Sequence, residues 1–304
     1  MLDKLSKLEL SVLLALVGSI FMLASIFNIQ DITKLQITRA NTIAWIPFFV
    51  GIVLLLGAIG LRLFDEVSGS WITKRRVSKI SDGFQVDISG TRLAVHFGRL
   101  EDFVVAEHSL AVVLPANEFF DDECVRDEKS ALGAFIKRNF STQISEIQQL
   151  ILKHTESFPT SDIEKEVGVF GKSYGVGRCV LIDKPLNSNH RFIMAAVTTK
   201  RARVGLRCEV AFISSVVKEL HRIVVDKRLT GLIVPVMGSG HGGLNAEMAL
   251  FSLVLAFSEV LVRDSGHHLQ SVDIVVFKPV DSKKPRIKSS TAKRILGSAS
   301  AMLN

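Results

Sequence analysis

Residues 234–244 read VPVMGSGHGGL, with glycine at four of the eleven positions, Gly238, Gly240, Gly242 and Gly243. Upstream, residues 231–236 form an apolar run of the length and texture of a strand buried on both faces. Downstream, Leu244, Met248, Phe251, Leu255 and Val262 recur at helical steps. A strand, a bare turn and a helix together make the place where open α/β sheets hold ligands, beyond the carboxyl end of a strand. Amides at a helix start are unpaired and sit at the positive end of the dipole, so they favour an anion. Glycine lets such a backbone approach phosphate oxygens with no Cβ in the way. Ser239 adds a hydroxyl, and His241 is placed to lean on a ligand. The spacing fits neither GxGxxG nor GxxxxGK[ST]. On this stretch alone, a flexible connection is a competing reading.

Other segments supply the rest of the layer pattern. Alternating residues at 84–88 and 92–97 predict strands, and 109–114 is a short buried one. Helices are expected over 128–139 and 142–155, and strands over 178–183 and 191–197. Leu206, Val210, Ile213, Val217, Leu220 and Val224 then mark a long helix, and 272–277 is the last strand. Strands alternating with helices predict an α/β fold with a mixed sheet flanked by helices. A second bare turn, Gly171–Gly177, precedes strand 178–183 and holds Tyr174, the one tyrosine of the chain, and Gly175. Two such turns at strand ends suit a diphosphate. The strand at 109–114 runs into Pro115-Ala-Asn117, where the Asn117 amide can donate and accept toward a sugar hydroxyl or simply form a turn.

The amino-terminal region has a different texture. Residues 10–30 and 40–61 carry no charge, and each is long enough to cross ~30 Å of hydrocarbon as a helix. Nine residues connect them, so the expectation is a transmembrane hairpin over residues 1–61 with both termini on one side. A cleaved signal peptide has a shorter apolar region ending in small residues, which the first run lacks. Arg62, Lys74, Arg75, Arg76 and Lys79 follow the second run, against Lys34 and Arg39 in the connection, and this bias places both termini on the cytoplasmic side. No ionisable residue lies inside the runs, which argues against a transporter or a pore lined by one hairpin. Residues 62–80 read as a linker, 81–280 as the α/β domain, and 281–304 as a basic tail, disordered or at most weakly amphipathic from Thr291.

The net charge of +7 gathers in Lys74-Arg-Arg and in that tail. In a membrane-anchored chain, contact with anionic headgroups is a simpler role for it than nucleic-acid binding. Cys124, Cys179 and Cys208 stand alone, which fits a reducing compartment and neither a disulfide framework nor a zinc site. No metal or cofactor is expected.

These elements resemble the macro domains. The strand ending in Pro115-Ala-Asn117 is similar to their N-A-A-N strand, and Glu101-Asp102-Phe103 to their G-D-I element. Residues 232–243 are similar to their second phosphate loop, I-P-x-x-G-T-G-x-x-G. The resemblance implies that Asp102 pairs with an adenine amine and that Asn117 meets the distal ribose of ADP-ribose. It implies further that the 238–243 loop cradles the diphosphate, with Phe277 beside the adenine or, alternatively, in the core. The glycine-rich first loop of hydrolytic members is replaced here by the acidic stretch Glu118–Gly133, in which Ser130 and Gly133 open the next helix. That departure, and the lack of a nucleophile–base pair, favours sensing over turnover. The acidic residues 121–128 either read the non-nucleotide end of a ligand or form a solvated charge run.

Two spans fused to a divergent macro domain resemble the membrane effectors of Thoeris anti-phage defence. This implies a nucleotide second messenger, histidine–ADP-ribose, made by a TIR-domain partner, and a homo-oligomer that disrupts the bilayer. A membrane-tethered hydrolase of ADP-ribose conjugates is the rival expectation.

Overall fold

The chain divides into two units, Met1–Ile72 and Thr73–Asn304. The computed structural model describes residues 17, 50–54, 56, 77–103, 109–183, 185–188, 190–264, 268–278 and 286–302. The expected spans therefore lie outside the described residues, apart from residues 17, 50–54 and 56, which are helical, and so does most of the expected linker. Among the described residues no helix is long and apolar enough to cross a membrane.

The second unit is built on a nine-stranded mixed sheet. Its strands are β1 (Ser78–Ile80), β2 (Gly83–Ile88), β3 (Thr91–Gly98), β4 (Leu110–Asn117), β7 (Cys179–Asp183), β8 (Arg191–Arg201), β9 (Gly205–Arg207), β10 (Gly231–Pro235) and β11 (Ser271–Phe277). They run in the order β1-β2-β3-β11-β10-β4-β8-β7, with β9 on β8. The pairings β3–β11, β11–β10, β10–β4 and β4–β8 are all parallel, so five central strands point the same way. The flanking pairings β1–β2, β2–β3, β7–β8 and β8–β9 are antiparallel. In β10 all five residues are buried, as the unbroken apolar run requires of a strand covered on both faces.

Among the described residues seven α-helices cover the sheet. On one face lie α1 (Leu100–Phe103), α2 (Asp122–Arg126), α3 (Ala131–Phe140) and α4 (Ile144–Thr155), packed through Leu132, Phe135, Ile136, Ile147 and Ile151. On the other lie α5 (Val210–Lys227), α6 (Ala246–Arg263) and α7 (Ser289–Met302), packed through Ile213, Leu220, Leu253, Phe257 and Leu296. A separate hairpin, β5 (Ser161–Glu166) and β6 (Val169–Ser173), sits outside the sheet.

Four expectations need correction. The linker ends early, because Ser78–Ile80 already pairs with β2. The residues taken to mark α6, Met248, Phe251, Leu255 and Val262, lie on its exposed side. Its core side is Leu250, Leu253, Val254, Phe257 and Leu261. Leu206 belongs to β9, and α5 begins at Val210. The disordered reading of the carboxyl-terminal tail fails over 289–302, where its alternative, an amphipathic segment from Thr291, is a helix: Ile287, Ala292, Leu296 and Ala299 are buried, and their three- to five-residue spacing gives this segment an apolar face that joins the core.

Candidate functional site

The five parallel strands end at one place. Residues from the carboxyl ends of β4 (Pro115–Asn117), β10 (Pro235), β11 (Val275–Phe277) and β8 (Val197, Thr198) line a cavity of about 1140 Å³. Arg99 to Glu101, after β3, complete that wall. Two segments close the mouth: the start of α3 with the turn before it, and residues 238–242. This is the strand-end position expected of an open α/β sheet.

The 238–242 loop is shaped by a few contacts. The Leu244 amide donates to the Gly238 carbonyl (3.1 Å) and that of Cys208 to the Gly242 carbonyl (2.9 Å). Gly238 has φ +78°, and a Cβ there would stand 2.3 Å from Cys208 Sγ, so glycine is required by the fold itself. Gly240 is different. Its φ lies outside the left-handed region, and a Cβ built on it meets nothing within 4 Å. Nothing among the described residues explains glycine there, whereas a ligand lying on the backbone would. Among the described residues the amides of 238–242 donate to no partner. At the foot of α6 the expectation was wrong in detail: Asn245 Oδ1 accepts from the amides of Glu247 and Met248, so that helix start caps itself and the free donors are those of the loop.

The facing segment is also locally determined. Ser130 Oγ accepts from the Gly133 amide at 2.9 Å and caps α3. A Cβ on Gly133 would press to 2.2 Å from the Asp127 carbonyl oxygen, so this glycine serves close packing of the turn on the helix. The acidic residues around it are paired, although Glu123 and Glu128 stay more than half exposed to solvent. Asp121 accepts from Lys165 (3.1 Å) and Glu123 from Lys200 (2.6 Å), while Glu128 pairs with Lys137. Asp127 approaches His241 Nδ1 at 3.3 Å, which ties the two lips of the cavity together. Burial of Lys200 opposes its charge, but hydrogen bonds to Glu123 and Glu166 outweigh that and lift its pKa to about 12. Cys124 lines the cavity, and burial pushes its thiol up to about 12, so at neutral pH it is no thiolate nucleophile.

A sequence model of one protein family, the Thoeris protein ThsA macro domain, matches residues 104–276, more than half of the chain. The chain belongs to that family. Among curated proteins none matches. Solved macrodomains are similar to the chain at low identity. A macrodomain of Oceanobacillus iheyensis with ADP is 12% identical, with a TM-score of 0.50 over 72% of this chain and 96% of that one. The same macrodomain with MES bound gives 11% and 0.48 over 72% and 97%. A Trypanosoma brucei macrodomain in complex with ADP-ribose gives 12% and 0.43 over 66% and 68%.

In this macro domain the residues singled out from sequence divide into two groups. Asn117, Ser130, Gly238, Ser239, Gly240, His241, Gly242 and Phe277 all line the cavity. Phe277 is 45% exposed, which removes the core reading. Asn117 also forms its own turn, with Oδ1 accepting from the Phe119 amide (2.9 Å) and Nδ2 donating to Asp121 (3.3 Å). Asp102 is not among the lining residues: it points outward and pairs with Arg138 at 3.5 Å, and Glu101 takes the wall position. Gly133 lies behind the lining for the packing reason above. Tyr174 and Gly175 are also apart from it. The Tyr174 ring packs on Phe120 (5.9 Å) and Phe158 (6.3 Å), and the Gly175 amide donates to Ser173 Oγ. Sequence reasoning missed Arg99, Lys129, Thr198, Lys200 and Arg286 in the lining. It also missed Glu118, which is buried and holds Ser173 Oγ, the Lys200 amide and Arg201 behind Asn117.

Proposed function

We propose that the macro domain binds an ADP-ribose-derived nucleotide in the cavity at the strand ends, with the diphosphate on the free amides of 238–242. The carrying observation is Gly240, a glycine that no described residue requires, set among amides that donate to no partner among the described residues, at the mouth of a large cleft. The adenine end rests against Phe277, and the ribose end lies toward Asn117 and Ser130. Family membership and the Oceanobacillus iheyensis macrodomain with ADP support the same ligand class.

The fuller reading extends this to a membrane effector of Thoeris defence. A TIR-domain partner makes the signal, histidine–ADP-ribose, and the charge-free segments 10–30 and 40–61 anchor the chain in the inner membrane. Binding shifts a pre-existing equilibrium toward an oligomer that breaches the bilayer, by no more than the ligand's difference in affinity between the two states. A single uncharged hairpin cannot line a water path, so several copies are needed. Dye-loaded liposomes carrying the full chain are expected to leak on addition of histidine–ADP-ribose. Binding of the nucleotide with no leakage sinks the effector reading and leaves the pocket reading standing. Product formation from the conjugate points instead to a hydrolase.

A further inference from the structure

The carboxyl-terminal segment returns to the nucleotide cavity and places a cation there. Arg286 lines the cavity, with its guanidinium 6.0 Å from the centre of the Phe277 ring and Nη1 donating to the Ser239 carbonyl at 3.3 Å. It thus spans from the base platform to the phosphate loop. Its backbone is fixed from behind, because Ile287 is 1% exposed and α7 buries Ala292 and Leu296. Among the described residues no carboxylate pairs with Arg286, whereas Lys200, another lining cation, is committed to Glu123 and Glu166. Loop amides are neutral donors, and a diphosphate brings net negative charge that they do not cancel. A guanidinium prefers a phosphate to a neutral carbonyl, because charge-assisted, two-pronged bonds are shorter and stronger.

We propose that Arg286 is a ligand-binding residue of this site, one that exchanges the Ser239 carbonyl for the ligand's diphosphate and supplies the charge the 238–242 loop lacks. The inference rests on the nucleotide reading above. The test is calorimetry of ADP-ribose with the detergent-solubilised full chain as wild type, Arg286→Ala and Arg286→Lys, at low and high NaCl. Removing a charge-assisted phosphate contact is expected to weaken Arg286→Ala about tenfold or more at low salt. The deficit should shrink at high salt, where the lost charge is screened in the wild type as well. Arg286→Lys should recover part of the loss. Arg286→Ala within about twofold of wild type at low salt overturns the proposal. So does a deficit identical at both salt concentrations, which marks a stacking or folding role. A wild type that binds no ADP-ribose fails the nucleotide reading itself, before the variants are compared.

Discussion

Gly240→Asp separates ligand binding from folding more cleanly than any other change in the loop. Among the described residues no atom beyond its chain neighbours lies within 4 Å of a Cβ at this position, and the backbone is not left-handed, so the fold accommodates the side chain. Unfolding stability should stay within about 0.5 kcal/mol of wild type, the usual range for a surface substitution away from special features. The new carboxylate would project from the middle of the free-amide run, some ~5 Å from a diphosphate lying on it. At an effective dielectric of ~20 each pair of unit charges at that distance repels by about 3 kcal/mol. The cavity mouth is open to solvent and salt, which cuts the figure to about 1.5–3 kcal/mol. That corresponds to roughly 10- to 150-fold weaker binding of ADP-ribose. Calorimetry at low salt reads it, with a melting curve as the folding control. Gly240→Asn, nearly the same size without the charge, should lose much less. An Asp variant that melts like wild type and binds within about twofold of it refutes the placement of the diphosphate. Equal losses for Asn and Asp refute the electrostatic account and leave a steric one.

Leu296→Ala should lower unfolding stability by about 2–5 kcal/mol, since the side chain is fully buried in the core joined by α7. An unchanged denaturation midpoint would mean that the tail does not dock. Stability should also depend on pH through His96, held between Asp273 Oδ1 (2.8 Å) and Asp82 Oδ2 (3.0 Å). Burial disfavours charging it, but the two carboxylate hydrogen bonds prevail and raise its pKa above 6.5. Its contribution is therefore fully present below the unfolded value of 6.5 and is lost as pH rises through the folded one. Urea titrations across this range should show wild type weakening toward higher pH and His96→Gln staying flat; parallel curves would contradict the assignment.

The strand-turn-helix at 231–263 was legible because its signals are local. A strand covered on both faces needs an unbroken apolar run, and β10 supplies one. The face of α6 was not legible, since apolar residues surround it and periodicity then has no contrast to report. The hairpin β5–β6 escaped for the opposite reason: it buries little, and its charged residues carry no core pattern. Gly171, read as part of a bare turn, is a strand residue whose absent side chain leaves room for the Phe119 ring, 3.1 Å from where a Cβ would stand.

At the site the errors are a matter of rotation and of return. Glu101 and Asp102 are adjacent on a four-residue helix, so a turn of about 100° decides which carboxylate faces the cavity. Sequence pattern places such a helix only to within a residue or two. Arg286 follows the last strand in a stretch whose Ser, Ala and Lys content resembles a solvated tail. It enters the site because Ile287, Leu296 and Ala299 carry the chain back onto the sheet, a contact set by β2 and α6 far upstream. The loop proposed to hold the diphosphate could be read from eleven consecutive letters. The charge beside it depends on a helix packing against a strand more than two hundred residues upstream, and a local pattern carries no trace of that.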